Sequence, residues 1–171
     1  MILTGNKIRE EVKNKNIIIE PFSEDQINPN SYNYRLGTEY IEIDNDKVYD
    51  LKNIEQKYEV KKIPEEGLLL DTQKIYLCNT KEIIGSTEYI TSLIGKSSMG
   101  RLGLFLQVAA DLGHQGQIHK WTLELRASIP TKIYPNMRIG QVTFWKTCGE
   151  KSLQDGYYEK FNSPHISKGV E

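Results

Sequence analysis

The sequence predicts a mainly β domain, and three observations carry that expectation. Apolar residues fall in brief runs rich in Val, Ile, Tyr and Thr; Gly, Pro and Asn divide those runs; and one stretch near the start has helical spacing. With so little helix to cover them, the sheets must pack on each other as a sandwich or jelly roll.

Taken in order, Thr4 caps a short helix whose apolar stripe is Ile8 and Val12, and Leu3 to Ile8 has the spacing of a hydrophobic staple. This helix should end near Asn14 to Asn16. Ile17-Ile18-Ile19 is a β-branched run stopped by Pro21. The next strand candidates are Tyr40 to Ile43, Leu68 to Leu70, Lys74 to Leu77 and Tyr89 to Ile94, followed by Leu104 to Ala109, Trp121 to Ala127 and Ile139 to Trp145. Asp44 to Lys62 is charged and aperiodic, which reads as a solvated loop or edge hairpin. From Gly149 the chain is polar and turn-rich, so the expected organisation is one β domain over 1–148 and a tail over 149–171, either disordered or ordered by a ligand.

A chain of 171 residues suits one domain with a core of its own. Lys and Arg number 22 against 23 Asp and Glu, so there is no global attraction toward nucleic acid or an anionic membrane, and phosphate binding must be local. Cys78 and Cys148 are too few for a disulfide framework or a four-ligand metal site and read as partly buried free thiols. Met1-Ile2-Leu3 leads straight into polar sequence, and no apolar run approaches a membrane span, so a cytoplasmic protein is expected.

The stretch from Gly95 to Leu104 gathers two cations, two hydroxyls and three glycines between apolar strands: Lys96, Ser97, Ser98, Met99, Gly100 and Arg101 lie within it. That is the composition of a phosphate cradle, because glycines let main-chain N–H groups approach an anion and arginine adds a planar fork. It is not a P-loop, which would need glycine where Ile90 stands. A structural turn explains the glycines equally well. In Trp121 to Arg126, alternation places Trp121, Leu123 and Leu125 on one face and Thr122, Glu124 and Arg126 on the other. Glu124 is then an acid in apolar surroundings: a general base for water, or one half of a cross-strand ion pair with an arginine. His114, His119 and His165 read as exposed loop residues. Neither the His-x-Glu element nor the Pro-Cys-x-x-Cys of zinc nucleobase deaminases is present, so no zinc is expected.

Together these residues resemble the dCTP deaminase family, which shares the dUTPase-like β-clip, a distorted jelly roll. Separate blocks carry the resemblance in order. Met1-Ile2-Leu3 with Ile8 and Pro21-Phe22 looks like the family's start, and Gln26 to Gly37 is similar to its Pro-x-Ser-Tyr-Asp-x-Arg-Leu-Gly signature. Lys96 to Leu104 matches Arg-Ser-Ser-x-x-Arg-Leu-Gly-Leu with Lys for the first Arg. The Thr122-Leu123-Glu124 strand follows, and Tyr134 to Gln141 resembles the block with a nucleotide-contacting glutamine, here Gln141. The resemblance implies zinc-independent deamination of dCTP to dUTP and ammonia. Glu124 would activate water for attack on C4, with Ser97 and Arg101 positioning it and the Ala110 carbonyl holding water or amine. It also implies triphosphate binding by the serine and arginine block, Mg²⁺ carried on the triphosphate, and a homotrimer with sites between subunits.

Several positions depart from the family's pattern. His114 stands where an Asp usually precedes the catalytic strand, His119 where a Gly is common, and Asn33 replaces the signature Asp. In the tail Tyr158 fits the pattern, while Tyr157 and Phe161 stand at Lys and Gln positions. Because dUTPases use that Asp to activate water for phosphate cleavage, weak hydrolysis of dUTP is expected. The alternatives are a dUTP diphosphatase or bifunctional enzyme, and a catalytically weak nucleotide-sensing relative.

Overall fold

The structure, a computed structural model, describes residues 1–43, 46–54, 57–107, 109–153 and 160–169. Helix α1 (Gly5–Lys13) begins where expected: Thr4 is extended and its Oγ1 accepts from the Lys7 N–H at 3.4 Å. Ile8 is fully buried, Leu3 and Val12 pack beside it, and Asn14 caps the other end.

Thirteen strands account for most of the remaining described elements. They are β1 (Ile17–Glu20), β2 (Tyr32–Ile43), β3 (Lys61–Lys62), β4 (Leu68–Leu70), β5 (Ile75–Thr80), β6 (Ile83–Ser86), β7 (Tyr89–Gly95), β8 (Leu104–Leu106), β9 (Leu112–Gly113), β10 (Ile118–His119), β11 (Thr122–Ala127), β12 (Thr131–Ile133) and β13 (Arg138–Lys146). A single helical turn, α2 (Ser97–Gly100), joins β7 to β8. The main sheet runs β8-β11-β5-β2-β13-β7-β9, with β3 also paired to β2. Smaller sheets run β1-β6-β10 and β12-β4, and their pairs are antiparallel.

The main sheet curls on itself. β7 and β8 are far apart in its order, yet a Cβ built on Gly95 would lie 3.7 Å from the Leu106 side chain. The curl encloses Tyr34 and Leu36 of β2, Tyr76 and Cys78 of β5, Leu93 of β7, Leu123 and Leu125 of β11, and Val142 and Phe144 of β13. The turn α2 therefore stands where the two ends of the sheet approach. Gly140 is required by close approach: a Cβ there would strike the Tyr34 ring, at the irregularity that bends β13 against β2.

The early signature serves the framework. Glu82 is fully buried and receives both the Arg35 main-chain N–H at 2.8 Å and the Arg35 Nε at 2.6 Å. The Gln26 amide bridges Glu82 and the Asn33 carbonyl, and the Asn33 Nδ2 donates to Asn28 Oδ1 at 3.2 Å. A buried carboxylate is tolerable because it is paired and hydrogen-bonded at once.

Three expectations are corrected. Cys148 is exposed, whereas burial pushes the Cys78 thiol well up and leaves it inert. His119 is buried on β10, its ring 4.3 Å from that of Trp121. His165 is partly buried, 3.9 Å from the Phe161 ring and edge-on to Tyr58. Residues 160–169 lie against the sheet: Ile166 is buried, and the Asn162 carbonyl accepts from Asn79 Nδ2 at 3.1 Å. Among the described residues no helix is long and apolar enough to cross a membrane.

Candidate active site

Strand β11 sorts its side chains by alternation. Leu123 and Leu125 are fully buried, while Thr122, Glu124 and Arg126 face the other way. Opposite Thr122 stands Asn79 and opposite Glu124 stands Leu77, both on β5; opposite Arg126 is Phe105 on β8. Glu124 is half-buried among these neighbours, and burial raises its carboxyl above the ordinary carboxylate range. Among the described residues no cation or donor reaches that carboxylate, so the cross-strand ion pair is not formed; Arg126 on the same face is exposed. An unpaired, half-buried acid can take and return a proton.

The backbone of Glu124 is held from the β8 side. Its N–H donates to Gln107 Oε1 at 2.8 Å, and Gln107 Nε2 donates to the Ala110 carbonyl at 3.2 Å. Glu124 and Ala110 are thus linked through Gln107, which lies just past the end of β8 rather than inside a strand running to Ala109.

The turn α2 presents Lys96, Ser97, Ser98, Gly100 and Arg101 toward the outside. Ser97, Ser98, Gly100 and Arg101 are exposed, and no side-chain partner is found for either serine or for Arg101 among the described residues. Met99 instead packs against the core, so its side chain is not part of an anion cradle. Leu123 is buried and can offer a ligand only main-chain atoms. The turn is anchored to the end of β11: the Gly103 carbonyl accepts from the Ser128 N–H at 2.8 Å and its Oγ at 3.2 Å. Gly103 has φ +74°, and a Cβ there would strike Ser128 Oγ.

A model of the family described as dCTP deaminase-like matches residues 2–147. The chain belongs to the dCTP deaminase-like family. Among its relatives, a Clostridium beijerinckii protein named "dCTP deaminase, dUMP-forming" is 44% identical over 172 residues, covering 100% of this chain and 94% of that protein. A Cytophaga hutchinsonii protein of the same name is 41% identical over 173 residues, with 100% and 94% covered. The fold resembles the crystal structure of 2'-deoxycytidine 5'-triphosphate deaminase from Agrobacterium tumefaciens, with TM-score 0.66 and 21% identity. That match covers 84% of this chain and 47% of the other.

Other positions that the family resemblance implied lie on or beside strands other than β11. Gln141 is on β13, three strands from β11 in the order of the main sheet. Its Oε1 accepts from Ser31 Oγ at 2.9 Å, and the same Ser31 Oγ accepts from Asn28 Nδ2 at 3.0 Å. His114 follows β9 at the far edge of the main sheet and is exposed; its main-chain N–H donates to Gln117 Oε1 at 3.1 Å. Tyr158 lies outside the described residues. Two residues escaped the sequence reading: Gln107, and Asn79, which shares the outward face of Thr122 and holds the tail. A polar residue closing the apolar run Leu104 to Leu106 was the available signal for the first; none marked the second.

Proposed function

We propose that this chain removes the 4-amino group of dCTP by hydrolysis and proceeds to dUMP, with Glu124 as the proton carrier. The observation that carries the reading is the Glu124 carboxylate, half-buried, raised by burial and unpaired among the described residues, on the strand that the family resemblance marks. Glu124 takes a proton from water as the oxygen adds to C4. It returns that proton to the amino nitrogen, the other hydrogen of the water passes to N3 as the C4 carbonyl forms, and ammonia leaves. The Ala110 carbonyl is the second acceptor for the water. A second water then cleaves between the α- and β-phosphates, so one dCTP and two waters give dUMP, pyrophosphate and ammonia.

The names of the relatives are the ground for dUMP, and they replace the expectation that dUTP is the released product. Mg²⁺ enters on the triphosphate as part of the substrate; no group of three or more metal-ligating side chains gathers among the described residues. No step uses zinc. Ser97 and Arg101 do not reach Glu124 within the chain, and the reading assigns them to the site of a neighbouring copy, in a homotrimer.

The test is an incubation of the purified protein with Mg²⁺ and, separately, dCTP, dUTP and CTP, following ammonia and pyrophosphate independently. Equal amounts of ammonia and pyrophosphate from dCTP are expected. No ammonia from dCTP withdraws the reading, and ammonia without pyrophosphate withdraws the dUMP step alone.

A further inference from the structure

Gln107 is the feature near the site that the proposed reaction leaves unused. Strand β8 stops at Leu106, and the next residue takes φ +50°, a left-handed conformation that residues other than glycine seldom adopt. Three hydrogen bonds surround that residue. The Gln107 main-chain N–H donates to the Glu124 carbonyl at 3.2 Å, extending the ladder by one residue. The Glu124 N–H donates at 2.8 Å to the Gln107 side chain, where an antiparallel pair ordinarily offers a main-chain carbonyl. The other end of the same amide donates to the Ala110 carbonyl at 3.2 Å. An amide suits both partners because it is an acceptor at one end and a donor at the other, at fixed separation. Backbone strain persists where surrounding contacts over-determine it, and these bonds do so here.

We propose that Gln107 is a positioning residue for deamination: its amide sets the Ala110 carbonyl relative to Glu124 and thereby aims the attacking water at C4. This rests on the roles given above to Glu124 and Ala110. Water held by two acceptors presents its remaining lone pair along a line fixed by both. Moving one acceptor moves that line, and a misplacement of about 1 Å costs about 10²-fold in rate. Gln107 acts through other groups, so its loss falls on kcat while KM is kept.

Two variants separate this role from a purely structural one. Gln107→Glu keeps an acceptor for the Glu124 N–H and removes the donor to Ala110. Gln107→Gly tolerates the left-handed backbone and removes both side-chain bonds. Ammonia release from dCTP is measured across pH for both, beside Glu124→Gln. The expected result is kcat lower by about 10²-fold in each Gln107 variant with KM within about threefold. In Gln107→Glu a second carboxylate also moves the acid limb of the rate profile to higher pH. Wild-type kcat in Gln107→Glu, a loss carried by KM, or loss of the folded far-UV spectrum in both variants overturns the positioning role. An active Glu124→Gln protein withdraws the reading of the site itself. An inactive one beside a fully active Gln107→Glu withdraws only the role of Gln107.

Discussion

Glu124 owes its character to one-residue alternation: Leu123 and Leu125 are driven into the core, which leaves the acid facing outward beside Leu77. Glu124→Gln keeps shape and hydrogen bonding but cannot accept water's proton, so ammonia release should fall by about 10²- to 10⁴-fold with nucleotide binding within a few-fold. Comparable turnover in calorimetrically matched samples would remove Glu124 from the reaction. The pH dependence has a definite sign. In the proposed reaction the active form is the carboxylate, and burial raises its pKa, so kcat/KM should fall on acidification through a limb above the ordinary carboxylate range. A limb at or below that range would mean that another group governs the rate.

At the scale of elements, α2 and β11 are coupled through Gly103 and Ser128. Gly103→Ala would put a methyl group against Ser128 Oγ at a left-handed backbone position, at a cost of about 1–3 kcal/mol. Thermal unfolding should register that loss, and kcat should drop with it because Ser97 and Arg101 ride on the same turn. Unchanged stability would show that the turn relaxes freely. Elements with a clean period were legible in the sequence: the Thr4 cap with Ile8 and Val12 gave α1, and alternation gave β11 and β13. Strand β2 was seen only from Tyr40, because Tyr32, Asn33, Tyr34, Leu36 and Gly37 are all buried and show no alternation. Strand β6 has just Ile83 and Ile84 as apolar residues, and its pairing with β1 and β10 supplies what its own pattern lacks. At the site, residue types announced Glu124 and the Ser97 to Arg101 turn. The amide of Gln107 could not be read because its role comes from a left-handed φ, and Met99 misled because its neighbours, not its own side chain, suggested a cradle.

For the whole molecule, the question is what completes a site whose acid and whose exposed serines and arginine do not meet. Leu102, Phe105 and Ile129 are 61%, 45% and 52% exposed, and a Cβ on Gly103 would come within 3.2 Å of Ile129, so these apolar groups gather around the α2 turn. Covering them with a second copy would bring Ser97 and Arg101 of one subunit toward another subunit's sheet, and a ring of three closes such a head-to-tail contact. Sedimentation should accordingly give a trimer at micromolar concentration, and Phe105→Glu should favour monomers that keep their far-UV spectrum but not their activity. Complementation tests the shared site directly. Glu124→Gln and Arg101→Ala are each expected to be inactive, but when unfolded together and refolded at equal amounts they mix at random within trimers. A site is intact when the subunit giving Glu124 and the neighbour giving Arg101 both carry the unmodified residue, which happens for about a quarter of sites. Recovery of about a quarter of wild-type ammonia release is therefore expected. No recovery from mixed trimers, confirmed by mass, would place both residues in the same subunit's site.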